Sequence, residues 1–341
     1  MPAKPRAGRA AAPHVRPRTP VLVGSAAACA LALLAACGGD GTAKAAKDEQ
    51  GRTVIRVTYP TNVSNVPLHI ALRKGYFEDA GLRVKPEADL GSGSTIEAVV
   101  GGQVDMAWAN TVGGLTAYSK GIGVRLVAVT DTASHGNQQV LVSGASRARE
   151  LADLKGEKLA VLAPTTVCIL NVRSELKARG LPTDAIEFTP VSPPEHANVL
   201  SSGEVAATCT SEPFRTQMIK KLGARSVFDT DTGELKGYPV GGYLVTSAFA
   251  EAHPEEIGAF RTALTKATRY ANAHPGEVRD LLPTFTGTDA DVAADVVINR
   301  YLEKQDAATV RPLVRRVAEA MRSYGLAEKP IDVSGYFAAG R

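Results

Sequence analysis

From Thr53 onward, segments typical of short strands alternate with segments typical of helices, and this alternation constrains the fold more than any other feature. Residues 54–59 alternate apolar and polar side chains, as a half-buried strand does, and stop at Pro60. Residues 68–75 then predict a helix and residues 81–84 the next strand. Strands separated by helices usually pair in parallel, because the helix carries the chain back across the sheet. The sequence therefore predicts an α/β fold built from parallel-sheet units.

The same pattern continues through the middle of the chain and gives way to helices near the C-terminus. Further strands are predicted at residues 104–107, 125–130, 139–142, 158–162, 186–189, 205–208 and 243–246. Pro254 stands at the first position of a predicted helix, where proline loses no hydrogen bond. The apolar face of that helix carries Ile257, Phe260, Leu264 and Ala267. About 290 residues are more than one hydrophobic core usually serves, so we expect two lobes.

Residues 1–36 have the parts of a secretory signal peptide. They carry positive charges and no acid, and then an apolar run from Val21 to Ala36 that is short for a membrane span. The segment Leu34-Ala35-Ala36-Cys37 resembles a bacterial lipobox, which implies that Cys37 is lipidated and becomes the N-terminus. Cys29 is a weaker candidate, because Ala26 stands where a lipobox has leucine. We expect a protein anchored by lipid at the extracytoplasmic face of the cell membrane.

Removing this leader changes the charge of the chain. Taking the 5 basic residues of the leader from 39 Lys+Arg leaves 34, against 35 Asp+Glu, so the formal net charge moves from +4 to −1. A mature chain without a basic block has no electrostatic footprint for nucleic acid. Residues 37–52 have almost no large apolar side chains, so they are predicted to be a flexible tether after the lipid.

Six short motifs punctuate the chain between Thr53 and Glu277. They are Lys74-Gly75-Tyr76-Phe77 with Ala80-Gly81-Leu82, Gly102-Gln103-Val104-Asp105-Met106-Ala107, Asp153-Leu154-Lys155-Gly156, Ser201-Ser202-Gly203-Glu204-Val205-Ala206-Ala207, Glu212-Pro213-Phe214, and His253-Pro254-Glu255. Each motif alone is weak. All six in this order and spacing resemble the substrate-binding proteins of sulfonate, nitrate and taurine-type ABC importers, whose superfamily includes binders of thiamine pyrimidine precursors.

The resemblance implies a type II periplasmic-binding-protein fold, in which two α/β lobes close on a ligand about a hinge of two crossing strands. The first lobe is then expected at residues 53–138 and 242–341 and the second at residues 139–241, with the crossings near 139–142 and 243–246. It also implies a monomer that binds a small polar molecule without a cofactor and delivers it to an ABC permease and ATPase.

Ligands of open α/β sheets bind where strands end and helices begin, so the residues that follow strands are the candidate site. The sharpest candidate is the loop 91–95, whose glycines allow close backbone approach and whose hydroxyls can donate hydrogen bonds. It lacks the lysine of a phosphate loop and the third glycine of a dinucleotide fingerprint. Tyr59 and Tyr238 are further lining candidates. The predicted ligand-binding residues are Thr61, Asn62, Ser64, Ser92, Gly93, Ser94, Thr95, Trp108, Asn110, Thr165, Thr166 and Glu212.

Several of these residues have a structural alternative that the sequence leaves open. Ser94 and Glu97 have the spacing of a capping box, so the loop 91–95 is equally explained as a capped turn. Trp108, the single tryptophan, can stack on a planar ligand or fill a core. Glu212, in the Glu-Pro motif, can accept from a ligand amine or pair with Arg215 on the same turn.

Two cysteines of the mature chain, Cys168 and Cys209, are candidates for a disulfide. They lie at corresponding strand ends of one predicted lobe, where the geometry of a disulfide is feasible. In an exported protein the environment is oxidising, so two cysteines in one lobe favour a disulfide. The alternative is two buried small hydrophobic residues.

Catalytic and metal-binding motifs are poorly represented. The sequence has no His-Glu-x-x-His, Cys-x-x-Cys or Gly-x-Ser-x-Gly. Ser174 and Lys177 have a Ser-x-x-Lys spacing, but they lie inside a predicted helix without its companion motifs. We therefore predict a binding protein with no metal, not an enzyme.

Two other functions and the ligand itself stay open at this point. One rival is a sensor that reports ligand without transport. The other is an enzyme on the same fold, like the pyrimidine-precursor synthases, whose cysteine-rich metal motif this sequence lacks. Glu212 and Trp108 favour a planar, amine-bearing ligand, whereas the loop 91–95 favours a sulfonate.

Overall fold

The computed structural model describes residues 46–89 and 95–340. The predicted signal peptide, Cys37, and Ser92, Gly93 and Ser94 lie outside these residues. The strands are β1 (Thr53–Pro60), β2 (Leu82–Asp89), β3 (Met106–Asn110), β4 (Val124–Thr132), β5 (Gln138–Val142), β6 (Lys158–Val161), β7 (Glu187–Pro190), β8 (Ala207–Ser211), β9 (Arg225–Asp229), β10 (Pro239–Thr246) and β11 (Arg300–Tyr301).

Helices fill most of the intervals between the strands. They are α1 (Val66–Arg73), α2 (Tyr76–Asp79), α3 (Thr95–Val100), α4 (Thr111–Ser119), α5 (Val167–Ala178), α6 (His196–Ser201), α7 (Phe214–Leu222), α8 (Ser247–Ala252), α9 (Pro254–Ala273), α10 (Pro275–Leu281), α11 (Pro283–Thr286), α12 (Ala290–Ala293) and α13 (Ala307–Ser323). Short 3-10 turns precede α1, β6, α6 and β10.

The strands form two mixed sheets. A six-stranded sheet has the order β11-β4-β10-β3-β1-β2, and a five-stranded sheet has the order β7-β6-β8-β5-β9. In the first sheet β1 pairs in parallel with β2 and β3, and in the second β6 pairs in parallel with β7 and β8. The parallel units predicted from the alternation are therefore present in both sheets.

The antiparallel strands of each sheet come from the passages of the chain between the sheets. The chain leaves the six-stranded sheet after β4, enters the five-stranded sheet as β5, and returns as β10. β5 pairs antiparallel with β8 and β9, and β10 pairs antiparallel with β3 and β4. A strand that arrives from the other sheet has not been turned around by a crossover helix, so it enters the ladder in the opposite direction.

Two cores cover the opposite faces of the six-stranded sheet. Tyr243 and Val245 of β10 pack with α1 and α9, whereas Leu244, between them, packs with α4 and α13. Adjacent strand residues face opposite sides, so both faces are buried. The predicted apolar face of α9 is confirmed, because Ile257, Phe260, Leu264 and Ala267 are all buried.

The described end of the predicted tether is ordered. The Val54 N–H donates to Ala46 O (2.7 Å), and Arg52 pairs with Asp48 across the turn between them (2.7 Å). The chain thus turns back on β1 from residue 46, and a flexible tether remains a prediction only for the preceding residues. In the described part of the chain, no helix is long and apolar enough to cross a membrane.

Candidate functional site

A cavity of about 190 Å³ is lined by residues from both sheets. From the six-stranded sheet, the lining comes from β3, from β10 and from the segments that follow β1, β2 and β3. From the five-stranded sheet, it comes from the end of β8 and from the segments that follow β6, β7 and β8. Predicted site residues that the structure brings together in this lining are Thr61, Asn62, Ser64, Thr95, Trp108, Asn110, Thr165, Thr166 and Glu212. Tyr238 also lines the cavity, whereas the predicted Tyr59 does not appear in its lining.

The segment after β1 is held in a tight polar turn. Asn62 Oδ1 accepts from the Ser64 N–H (3.2 Å) and from Asn65 Nδ2 (3.0 Å). Asn65 Oδ1 in turn accepts from Tyr243 Oη on β10 (2.8 Å). The side-chain oxygen of Asn62 therefore caps the turn, and Asn62 offers the cavity its amide nitrogen.

The end of β3 contributes Trp108, and α4 begins directly after this strand. Asn110 caps α4, because its Oδ1 accepts from the Gly113 N–H (2.9 Å). Trp108 belongs to the core packed against α9 and also lines the cavity, so the two functions proposed for it are compatible. Its Nε1–H donates to Thr130 Oγ1 (3.1 Å), and its carbonyl accepts from Thr95 Oγ1 (2.8 Å). The indole therefore presents ring atoms to the cavity.

The five-stranded sheet contributes the start of α5. Thr166 caps this helix by accepting from the Cys168 N–H at Oγ1 (3.0 Å). Residues 165–168 all line the cavity. The first N–H groups of a helix lack partners within the helix, and the helix dipole favours a negative group near them. The part of the cavity lining formed by residues 165–168 can therefore bind a hydrogen-bond acceptor or an anion.

Cys168 and Cys209 are joined by a disulfide, with Cα atoms 6.5 Å apart. Cys168 is the second residue of α5, and Cys209 lies in β8. Both are almost fully buried, and both line the cavity. The bond therefore connects two parts of the same wall.

The carboxylate of Glu212 is occupied by the protein. It accepts from Thr216 Oγ1 (2.7 Å), the Thr216 N–H (3.1 Å) and the Val297 N–H (3.1 Å), with Arg215 Nη1 at 3.4 Å. Burial raises the pKa of Glu212, and these hydrogen bonds oppose that effect. The carboxylate is thus held chiefly by Thr216 and Val297, and its pairing with Arg215 is the longest of these contacts. Because Val297 precedes β11, Glu212 also joins the two sheets.

Asp131, which was not among the predicted site residues, lies directly behind the cavity wall. It is fully buried at the end of β4, and it accepts from Thr130 Oγ1 (2.7 Å), Ser64 Oγ (2.9 Å) and Asn299 Nδ2 (2.6 Å). Burial raises its pKa, and the three neutral donors oppose the rise. A hydroxyl has one hydrogen, so Ser64 has only lone pairs left for the cavity. No motif marks Asp131, since its partners come together only in the folded chain.

The lining also includes apolar residues that were not predicted as site residues. They include Val63, Ile96, Leu162, Val240 and Phe214, the last residue of the Glu212-Pro213-Phe214 motif. Pro193 and Pro194 close the cavity on the side of the five-stranded sheet. Among the described lining residues none is lysine, arginine or histidine. A ligand here meets hydroxyl and amide groups and apolar surface, together with the Glu212 carboxylate, whose oxygens accept hydrogen bonds from protein donors.

His196 supports this wall from behind. Its Nδ1 lies 2.9 Å from Oγ1 of the lining residue Thr210, and its Nε2 lies 3.1 Å from Val191 O. Since a carbonyl can only accept, Nε2 carries the proton and Nδ1 is left as an acceptor. Burial lowers the pKa of His196 to about 4. The imidazole is therefore neutral near pH 7.

We expect His196 to make the fold sensitive to acid. Its pKa is lower in the folded than in the unfolded chain, so its contribution is full above pH 6.5 and is lost as the pH falls towards 4. The difference between these two pKa values corresponds to about 3 kcal/mol. Urea unfolding at pH 7 and pH 4.5 should show a smaller loss for His196→Gln than for the wild type. The exposed His274→Gln should lose as much as the wild type; equal losses for all three proteins would contradict this assignment.

Sequence and structure comparisons place these features in a wider group. Residues 48–282 match the model of the NMT1-like family. A putative aliphatic sulfonates-binding protein of Bacillus subtilis (strain 168) is 27% identical over 271 residues, which cover 78% of this chain and 79% of that protein.

Two solved structures show what proteins with a similar fold do. The alkanesulfonate-binding protein of Xanthomonas axonopodis pv. citri, solved with MOPS bound, superposes with a TM-score of 0.70 at 19% identity, covering 83% of this chain and 97% of that one. A desulfurization enzyme superposes with a TM-score of 0.62 at 18% identity, covering 84% and 96%. The predicted periplasmic-binding-protein fold is confirmed, and the same fold is used by binding proteins and by an enzyme.

Proposed function

Because the chain belongs to the NMT1-like family, we propose that it is the extracytoplasmic substrate-binding lipoprotein of an ABC importer. Its ligand is a small polar molecule of the sulfonate, nitrate, taurine or thiamine-precursor class, bound in the cavity between the sheets. The observation that carries the proposal is the convergence of nine predicted binding residues, from strand ends of both sheets, on one cavity. The name of the Bacillus relative supports the same reading.

Within these classes, the contacts of Glu212 favour a sulfonate over an amine-bearing ligand. Its carboxylate oxygens already accept four hydrogen bonds from protein groups, so an ammonium group would compete with them. The starts of α4 and α5 instead offer N–H donors and positive dipole ends to an anion. The apolar lining at Leu162 and Phe214 suits the carbon chain of an organosulfonate better than it suits nitrate.

Ligand binding is proposed to close two lobes, one built around each sheet. The passages between the sheets, residues 133–137 and 230–238, are tied together beside the cavity. Asp229 accepts from the Gly136 N–H (2.7 Å) and Gln139 Nε2 (3.0 Å), and Thr230 Oγ1 donates to Gln138 O (2.9 Å). Two linked passages of this kind permit a hinge rotation and resist independent movement. The ligand would shift an existing open–closed equilibrium.

Attachment through Cys37 and a monomeric state complete the proposal. Acyl chains in the bilayer would keep the protein next to its permease, at roughly 0.8 kcal/mol for each buried methylene. Labelling of growing cells with a fatty acid should mark the wild type and not Cys37→Ala.

Binding without turnover is part of the proposal, although an enzyme shares the fold. The cysteines of the cavity wall are bonded to each other, so neither is available as a thiolate nucleophile. The other rival, a sensor without transport, binds ligand in the same way. Uptake of the ligand, compared between cells that carry this protein and cells that lack it, distinguishes a sensor from an importer component.

Calorimetric titration and thermal shift with ethanesulfonate, taurine, nitrate and hydroxymethylpyrimidine test the binding. The full chain carrying Cys37→Ala and kept in mild detergent is suitable. A bound ligand at a hundred times its Kd should stabilise the fold by about 2.7 kcal/mol. Propanoate, similar in size to ethanesulfonate but a carboxylate, is the matched negative ligand. If none of the four compounds binds, the proposed classes are wrong.

A variant that fills the cavity should abolish this response. Ala163 lines the cavity, so the larger side chain of Ala163→Phe should weaken binding of the active compound at least about tenfold. Ala145 is exposed and lies outside the lining, so Ala145→Phe should bind as the wild type does. Unchanged binding by Ala163→Phe would place the ligand elsewhere.

A further inference from the structure

The Cys168–Cys209 disulfide lies in the wall of the cavity and not in a distant part of the fold. Cys168 follows the lining residues Thr165 and Thr166, and Cys209 precedes the lining residues Thr210 and Ser211. The two cysteines are 2% and 4% exposed. Their sulfurs thus join the start of α5 to the cavity end of β8.

The described backbone pairs between β6 and β8 do not extend to the cavity, where the disulfide joins α5 to β8. The described pairs between β6, which leads into α5, and β8 are Leu159 with Ala207 and Ala160 with Thr208. That pairing ends before Cys209. On its other side β8 pairs with β5 as far as Ser211, so β8 is held in place. The disulfide is what ties residues 162–168 to it at this depth.

The rest of α5 is secured independently of the disulfide. Leu170 belongs to the core that includes α13, and Ile169, Val172 and Leu176 belong to the core of the five-stranded sheet. Arg173 Nη1 donates to Tyr324 O (3.1 Å). Breaking the disulfide should therefore leave α5 folded and packed, while its first turn gains freedom at the cavity.

We propose that this disulfide is a positioning device for the binding site, so that ligand affinity depends on its oxidation state. The inference rests on the proposed function, because it concerns the same cavity. With the bond intact, the Thr166 cap and the first N–H groups of α5 are held in place before the ligand arrives, and less ordering is required on binding. Reduction by a dithiol or phosphine yields two protein thiols and the oxidised reductant, and it loosens this wall.

The position of the disulfide in the cavity lining leads to a second expectation. Because both cysteines line the cavity, a bound ligand should cover them and slow the attack of a reductant. A disulfide that only stabilised the fold from elsewhere would have no such reason to be protected by ligand.

The test uses the full chain with Cys29→Ala and Cys37→Ala, in mild detergent, so that only Cys168 and Cys209 can carry thiols. Thiol counting under denaturing conditions should find no thiol before reduction and two after it. Titration at 10 °C with ethanesulfonate, before and after reduction by TCEP, should show affinity falling about tenfold while the far-UV circular dichroism is retained. Excess ethanesulfonate should slow the reduction itself.

Replacement of both cysteines provides a matched control. Cys168→Ser with Cys209→Ser should bind as weakly as the reduced protein and should not respond to TCEP. Equal affinity in the oxidised and reduced forms, or loss of the helical signal on reduction, would overturn the positioning role and leave the proposed function intact. Failure of the oxidised protein to bind any compound of the panel would instead overturn the proposed function, and this inference with it.

Discussion

Gly242→Ala is expected to destabilise the protein by about 3 kcal/mol, because the six-stranded sheet has no room for a side chain there. A Cβ atom at this position would lie 2.2 Å from Ala128 O and 3.1 Å from Ala128 C. These are backbone atoms of β4, the neighbour of β10, so a rotamer change cannot relieve the contact. The register between β10 and β4 also shifts at Gly242, which indicates an irregular and close approach of the two strands. Urea unfolding followed by circular dichroism measures the effect.

A second glycine supplies the control for this experiment. A Cβ at Gly276 in α10 would have nothing within 4 Å, and the residue is helical. Alanine favours a helix over glycine by up to about 1 kcal/mol, so Gly276→Ala should leave the unfolding midpoint unchanged or raise it. If the two variants behaved alike, the close approach of β10 to β4 would not determine stability.

Glu212→Ala is expected to cost about 3 kcal/mol and to loosen the junction between the two sheets. The carboxylate is the common acceptor for the Thr216 N–H and Oγ1 of α7 and for the Val297 N–H beside β11. Without it, these donors lose their partner in a region that is largely closed to water. Asn137 Nδ2, which donates to Val297 O (2.8 Å), and the Ser134 N–H, which donates to Asn299 Oδ1 (3.1 Å), would still tie that segment to the passage between the sheets.

Two further variants separate the role of the carboxylate from that of charge alone. Glu204→Ala removes an exposed acid from the same part of the chain and should change stability by less than about 0.5 kcal/mol. Glu212→Gln keeps the size of the side chain but places an amide NH₂ against a donor, so it should lie between Glu204→Ala and Glu212→Ala. A Glu212→Ala protein as stable as Glu204→Ala would contradict the bridging role.

Most of the elements could be predicted from local pattern, and the exceptions have physical causes. α9 was predictable because one of its faces is buried and the other is exposed, which produces a periodic pattern. α4 was not predicted: most of its residues are buried, and Gly113 and Gly114 disfavour a helix. Gly114 is explained by packing, because a Cβ there would lie 2.3 Å from Tyr336 Oη. That contact joins residues 222 positions apart in the chain.

Nine of the predicted site residues line one cavity, but the sequence did not indicate what each side chain does there. Strand ends and helix starts predicted Thr166, Asn110 and Asn62, and the structure shows each of them capping a helix or turn at the cavity. Each of these side chains therefore presents to a ligand the polar group that it does not use in capping. Asp131, which orients the Ser64 hydroxyl, was invisible because its contacts reach 67 and 168 residues along the chain.

The alternation of strands and helices, the ordered motifs and the family they indicate were determined by the sequence by itself, because each depends on local spacing. Only the tertiary structure decided which strands run antiparallel and where β10 needs glycine. It also decided which groups occupy the Glu212 carboxylate and how Cys168 and Cys209 join one wall of the cavity. The physical reason is the same in each case. These features depend on atoms that lie far apart in the chain, and only the packing of both sheets brings those atoms within contact distance.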